Sequence, residues 1–183
     1  MRRWYGADLQ ALAAVEDIAI VCKRLNVTLV TTPAVNHPAT VSALRECNAD
    51  IAVSLGNGYT GSKLFSIPRW GMINIHHEVL PAYQNAQSVI WQLYNHSTRT
   101  GYTIHRIDKG IDTGAIVHQE QVPIRFQESL GATVSHTMKA VLDASALGLR
   151  EVLADLPTRL VSARPQGTGT TWTTPTFWQF LRI

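Results

Sequence analysis

A chain of 183 residues with 45% hydrophobic and 16% charged residues has a globular composition, long enough for one domain with a sizeable core. The net charge of +3 is dispersed, with no basic run longer than Arg2-Arg3 or Lys23-Arg24, so a nucleic-acid partner is not expected and a small anionic substrate is compatible. No apolar stretch approaches the ~20 residues that span a bilayer, the opening MRRWYGADLQ lacks the apolar segment of a signal peptide, and Cys22 and Cys47 stand apart without C-x-x-C spacing, which argues against a disulfide framework or a zinc site.

Residues 8–26 place Leu9, Leu12, Val15, Ile18, Cys22 and Leu25 at helical spacing, predicting a helix with one buried stripe. Residues 27–30 read as a short strand, 38–48 as a second helix and 51–55 as a buried strand. A strand at 71–77 follows, then a turn-rich stretch at 95–100, a strand at 102–107, a tight turn at 108–114 and a strand at 115–124. Residues 129–156 carry the longest helical pattern, with Leu130, Val134, Met138, Val141, Leu149 and Val152 on one side, and Pro157 is expected to stop it. From Pro165 the composition turns to Gly, Thr and Trp, predicting an extended tail over the core, anchored by Trp172, Phe177 and Trp178. Helices interleaved with short apolar strands predict an α/β fold with a mainly parallel sheet. The two cysteines are expected to be buried thiols of a reducing, cytoplasmic compartment.

The chemistry concentrates in residues 71–117. Side chains alternate along a strand, so Asn74 and His76 share one face while Ile75 and His77 take the other. Asp112 stands between Gly110 and Gly114, where a carboxylate can fix the tautomer of His76 and raise its basicity. An amide donor, an imidazole and a carboxylate at strand ends can handle protons at a carbonyl with neither a metal nor a side-chain nucleophile. On spacing alone the same residues read equally as two turn residues and one satisfied polar histidine. Gly56 to Gly61 is a literal G-x-G-x-x-G after a predicted strand, but the next strand begins near Met72. That leaves no room for the full crossover helix of a dinucleotide-binding unit. His96, His105, His118 and His136 lack ligand spacing and read as surface or strand residues, and Trp91 and Tyr94 read as one helix face in the core.

In chain order stand Asn74-Ile75-His76, Leu80-Pro81, Gly101-Tyr102-Thr103-Ile104-His105 and Ile111-Asp112-Thr113-Gly114. This series resembles the formyltransferase family that uses 10-formyltetrahydrofolate, and the resemblance extends less sharply over residues 25–156. It implies a Rossmann-like formyltransferase fold: a catalytic domain over residues 1–156, lacking the first strand–helix units of the family, and a tail over 157–183 packed on the core. Carried over, the catalytic trio falls on Asn74, His76 and Asp112. The Asn74 amide and the His76 imidazolium are then expected to bind the developing oxyanion as an amine attacks the formyl carbon. Asp112 would orient His76 and help to move the amine's proton. The loop at 56–61 matches one lining the family's pterin pocket, which implies folate contacts from Asn57, Gly58, Tyr59 and Thr60, joined by Asp108, Gly110 and Ile111.

Two places depart from the family pattern. Glu78 stands where a serine is usual, and Gln84-Asn85 where Arg-Gly is usual. Glu78, Tyr83, Gln84 and Asn85 are therefore expected to face an acceptor unlike the better-known ones, with Glu78 either binding a cationic or hydroxylated group or standing in solvent. The methionyl-tRNA enzyme normally carries a further C-terminal domain, and the glycinamide ribonucleotide enzyme an N-terminal glycine loop. By elimination the resemblance points to a nucleotide-linked amino sugar as acceptor, with a homodimer left open and no metal or membrane involved. A folate-binding relic or scaffold without turnover is the reading of another class.

Overall fold

A computed structural model describes residues 16–86 and 89–183. Of the first predicted helix, Ile18–Leu25 forms α1, and residues 8–15 lie outside the described residues. Asp17 caps α1 by accepting the Ala19 N–H at 2.7 Å, and Asn26 closes it in the left-handed conformation that asparagine tolerates. The order then runs α2 (Pro38–Glu46), β1 (Ala52–Leu55), α3 (Ser62–Phe65), β2 (Met72–His76), α4 (Ile90–Tyr94), β3 (Arg99–Arg106), β4 (Ile116–Pro123), α5 (Leu130–Ala154), α6 (Leu156–Val161) and α7 (Phe177–Phe180). Among the described residues no helix is long and apolar enough to cross a membrane.

The four strands form one sheet in the order β1-β2-β3-β4. β1 and β2 are parallel, but β2 with β3 and β3 with β4 are antiparallel, so the sheet is mixed and the expectation of a mainly parallel one is corrected. The reason lies in the connections. A parallel return needs a crossover of roughly a dozen or more residues laid along the sheet. Residues 56–71, with α3, supply one between β1 and β2. After β2 the chain stays at the same end of the sheet through the short α4 and re-enters it in reverse, with His76 opposite Thr103. Residues 107–115 then turn β3 into β4 as a hairpin.

The core lies between this sheet and α5. Ile73, Ile75, Tyr102, Ile104, Val117 and Val122 meet Val141 and Val152 of α5 and Leu156 and Leu160 of α6. Ser129 starts α5 by accepting the Ala132 N–H at 3.1 Å. Pro157 does not simply stop this helix. α5 ends at Ala154, and Pro157 sits in the first turn of α6, where a missing N–H costs no hydrogen bond.

Other expectations are corrected as well. Residues 27–30 are not a strand. Val27, Leu29 and Val30 are exposed, and no strand among the described residues pairs with them. β3 begins at Arg99 rather than at 102, because the ladder with β4 continues as far as Arg99 opposite Pro123. Cys22 is half-buried and Cys47 exposed, since α1 and α2 bury no residue completely. In the tail Trp172 does pack on the body, but Phe177 and Trp178 are 60% and 74% exposed rather than buried as anchors.

Candidate active site

Asn74 and His76 project from one face of β2, as strand alternation requires. The antiparallel register sets His105 of β3 directly opposite Asn74, so its side chain rises on the same face. Asp112 reaches them because the hairpin returns tightly. A Cβ at Gly114 would overlap the Arg106 carbonyl, so a glycine there lets the two strands close. Asp112 itself adopts a left-handed backbone, φ 55°, which few non-glycine residues take.

The four side chains form one cluster. Asp112 stands between two imidazoles, Oδ2 at 3.5 Å from His76 Nδ1 and Oδ1 at 3.4 Å from His105 Nε2. Its Oδ2 also accepts the Asn85 N–H at 3.0 Å. His76 Nε2 lies 2.8 Å from the Tyr83 carbonyl and His105 Nδ1 2.8 Å from that of Arg106. A carbonyl only accepts, so each of these nitrogens carries a hydrogen and both tautomers are fixed. The Asn74 amide nitrogen lies 3.2 Å from His105 Nε2, so a neutral His105 accepts from Asn74.

Burial pushes the His76 imidazole below its ordinary pKa. The Asp112 charge and the bond to Tyr83 oppose this without reversing it. Burial would raise the Asp112 carboxyl, but the adjacent His105 ring, the His76 charge and the Asn85 N–H outweigh it and hold the group below its ordinary value. Near neutral pH the resting pair is therefore a neutral imidazole and a carboxylate, and an imidazolium arises at His76 only when a proton is taken up. The lone pair of Nδ1 then faces a carboxylate oxygen, and together they form a place for one proton.

A cavity of about 310 Å³ opens over this cluster. Asn57, Gly58, Tyr59 and Thr60 form one wall, Gly110, Ile111 and Asp112 another, and Asn74, His76, His105 and Asn85 complete it. Asn36 braces the first wall from outside, donating to the Tyr59 carbonyl and accepting the Gly61 N–H, each at 2.7 Å.

Several predicted site residues stand elsewhere. Asp108 does not line the cavity; its carboxylate caps the turn by accepting from Gly110 N–H at 2.9 Å and Thr113 Oγ1 at 2.7 Å. Tyr83 serves through its carbonyl, and its ring stacks on Trp172 at 5.8 Å between centroids. Gln84 is buried under the tail. His105, read from the sequence as an ordinary strand residue, is 2% exposed and belongs to the cluster. Its signal was the cross-strand position opposite Asn74, which is visible only once β2 and β3 are known to be antiparallel.

Glu78 is also corrected. It is fully buried, and the Val89 N–H and the hydroxyl of Thr100 bond its carboxyl at 2.9 and 3.4 Å, with the Gln92 amide beside it. It pins the loop after β2 to α4 and does not face an acceptor. Burial raises its carboxyl well above the ordinary pKa, against the opposing Val89 and Thr100 bonds. A carboxyl raised in the folded state stabilises the fold least at high pH: its contribution declines as pH rises from the unfolded value through the folded one. Glu78→Gln is accordingly expected to gain melting temperature relative to the parent between pH 5 and pH 8, as thermal unfolding followed by circular dichroism would show. A constant difference across that range would contradict a raised Glu78.

The sequence model of the family described as Formyl transferase matches residues 6–153. The chain belongs to this family. Among curated formyl transferases, the methionyl-tRNA formyltransferase of Syntrophus aciditrophicus is 33% identical over 115 residues, which is 62% of this chain and 37% of that protein. The one from Geobacter metallireducens is 30% identical over 131 residues, 71% of this chain and 42% of that protein. The chain thus spans about two fifths of the length of such relatives. Among solved formyl transferases, PseJ from Anoxybacillus kamchatkensis, in complex with UDP-4,6-dideoxy-4-formamido-L-AltNAc and tetrahydrofolate, superposes with a TM-score of 0.65 at 21% identity, covering 91% of this chain and 86% of that one. Phosphoribosylglycinamide formyltransferase from Streptococcus pneumoniae gives 0.62 at 24% identity, covering 79% and 82%. At these identities the likeness establishes the fold.

Proposed function

We propose that the chain transfers a formyl group from 10-formyltetrahydrofolate to a primary amine, with the amino group of a nucleotide-linked amino sugar as acceptor. The observation that carries this reading is the convergence of Asn74, His76, His105 and Asp112 on one cavity. The first wall suits a flat heterocycle. Open space lies beside Gly56 and Gly58, so a ring can approach the backbone of residues 56–60 and use its N–H and C=O groups. When bound, 10-formyltetrahydrofolate supplies an acyl carbon attached to nitrogen and open to attack by an amine.

The protein's part is donation and proton transfer. Asn74 presents an amide N–H to an oxygen that gains negative charge. His76 can add its Nε2–H only by sharing it with the Tyr83 carbonyl or by releasing that carbonyl. The proton lost by the attacking amine has its acceptor between His76 Nδ1 and Asp112 Oδ2. Asn85 N–H, bonded to the same carboxylate oxygen, keeps it aimed at His76.

The formamido sugar nucleotide held by PseJ supports a sugar acceptor. A second reading has its own support: the curated relatives from Syntrophus aciditrophicus and Geobacter metallireducens are methionyl-tRNA formyltransferases. Release of tetrahydrofolate from 10-formyltetrahydrofolate, measured with UDP- and dTDP-linked amino sugars and with methionyl-tRNA, separates the two. Turnover with an amino sugar supports the proposal, and turnover with methionyl-tRNA alone replaces it by the second reading. Folate binding without turnover on any acceptor makes the chain a folate-binding protein.

A further inference from the structure

The tail beyond residue 153, outside the family match, meets the site at its backbone. The side-chain amide of Gln166 donates to two carbonyls, Asp112 O at 3.0 Å and Gly114 O at 2.7 Å. An amide has two N–H groups, so this one is fully used in holding the left-handed Asp112. Gln84 Nε2 lies 3.4 Å from both Asp112 O and Gln166 Oε1, closing the network.

The same tail grips the other anchor of the site. Arg164 pairs with Ile116 of β4 through two backbone bonds at 2.8 and 2.9 Å. Farther on, Gln84 N–H donates to Thr170 O at 3.0 Å and Trp172 N–H to Gln84 O at 2.9 Å. Trp172 Nε1 donates to Ala82 O at 2.8 Å, and Asn85 Nδ2 donates to Trp172 O at 3.0 Å. A Cβ at Gly169 would collide with the Gln84 amide, so the strap passes there in close contact. One strap thus joins the turn that carries Asp112 to the loop whose Tyr83 carbonyl and Asn85 N–H hold His76 and Asp112. Neither Gln166 nor Trp172 lines the cavity, so both act only through the residues they place.

We infer that residues 164–173 form a strap that sets the spacing of His76 and Asp112, with Gln166 as its principal positioning residue. In its bearing on turnover the inference rests on the formyl-transfer reading; its structural content does not. Gln166→Met keeps the volume and removes both donors. With the full chain, the expected result is a kcat lowered about tenfold or more with the KM for 10-formyltetrahydrofolate within about twofold, since only the reacting pair is displaced.

The second readout needs no turnover. In ¹⁵N–¹H spectra of the imidazoles, with His76 assigned by its loss in His76→Asn, the titration midpoint of His76 is expected to move to lower pH by about half a unit as the Asp112 charge draws away. Among the described residues the titratable groups facing His76 are Asp112, His105 and His77, and Gln166 bonds the backbone of Asp112. An unmoved midpoint overturns the inference whatever the turnover. A wild-type protein that transfers formyl to no acceptor removes the functional reading, and the midpoint alone then decides on the strap.

Discussion

Asp112→Asn is expected to lower kcat for formyl transfer by about 10³-fold, within the range that general acid–base catalysis supplies. The substitution is nearly isosteric, and asparagine accepts a left-handed backbone as readily as aspartate, so the turn at φ 55° survives. The Asn85 N–H can still donate to the remaining oxygen. What is lost is the charge standing 3.5 Å from His76 Nδ1 and 3.4 Å from His105 Nε2. With the amide oxygen kept on the Asn85 N–H, the amide nitrogen faces His105, and His76 Nδ1 is left without the negative charge that draws the amine's proton. Affinity for folate should change little, because the wall at residues 57–60 is untouched. Single-turnover rates and folate binding by fluorescence check both parts, and a loss of less than about tenfold would remove Asp112 from proton transfer.

The same pair predicts a pH profile. Asp112 lies below its ordinary pKa and is ionised across the working range, while His76 lies below its own ordinary value and sets the acid limb. The rate should rise with pH through a midpoint below the ordinary histidine value and then level off. In Asp112→Asn the attraction that raises His76 is gone, so the limb of the residual activity should move to lower pH. A limb that moved upward would show that Asp112 does not act on His76 as described.

How much of this was legible in the sequence depended on how local each feature is. Strand alternation alone put Asn74 and His76 on one face, and the glycines at 110 and 114 marked the turn that carries Asp112. His105 was not legible, because its place depends on a strand pairing and no period along its own strand reports which residue lies opposite. The mixed sheet was missed for a related reason: short apolar strands look alike whether they run parallel or antiparallel, and only the connection lengths distinguish them. Glu78 misled because a charged residue just past the end of a strand suggests solvent. Its burial follows from donors at Val89 and Thr100, far enough along the chain to be invisible to any local reading. Gln166 was hidden by composition, since a stretch rich in Gly and Thr carries no periodicity that would announce a strap.

Asn74→Ala is expected to slow transfer by about 10²- to 10³-fold, the usual cost of losing one donor to a developing oxyanion. The size follows from how firmly the amide is aimed. The His105 ring holds its Nδ1–H on the Arg106 carbonyl at 2.8 Å, so a neutral ring offers Nε2 to Asn74 at 3.2 Å and fixes which end of the amide carries the donor. One N–H is then engaged with His105 and the second is left for the cavity. A protonated His105 would donate instead to Asp112, and the Asn74 amide would lose the acceptor that orients it. His105→Ala should therefore reproduce part of the Asn74→Ala defect without removing the donor. The double variant should fall short of the product of the two single losses, because His105 has nothing left to aim once Asn74 is gone. Asn74→Asp should be worse than Asn74→Ala, since it sets a negative charge where the oxyanion forms. Rates that multiply independently in the double variant would mean that His105 serves the site through Asp112 alone.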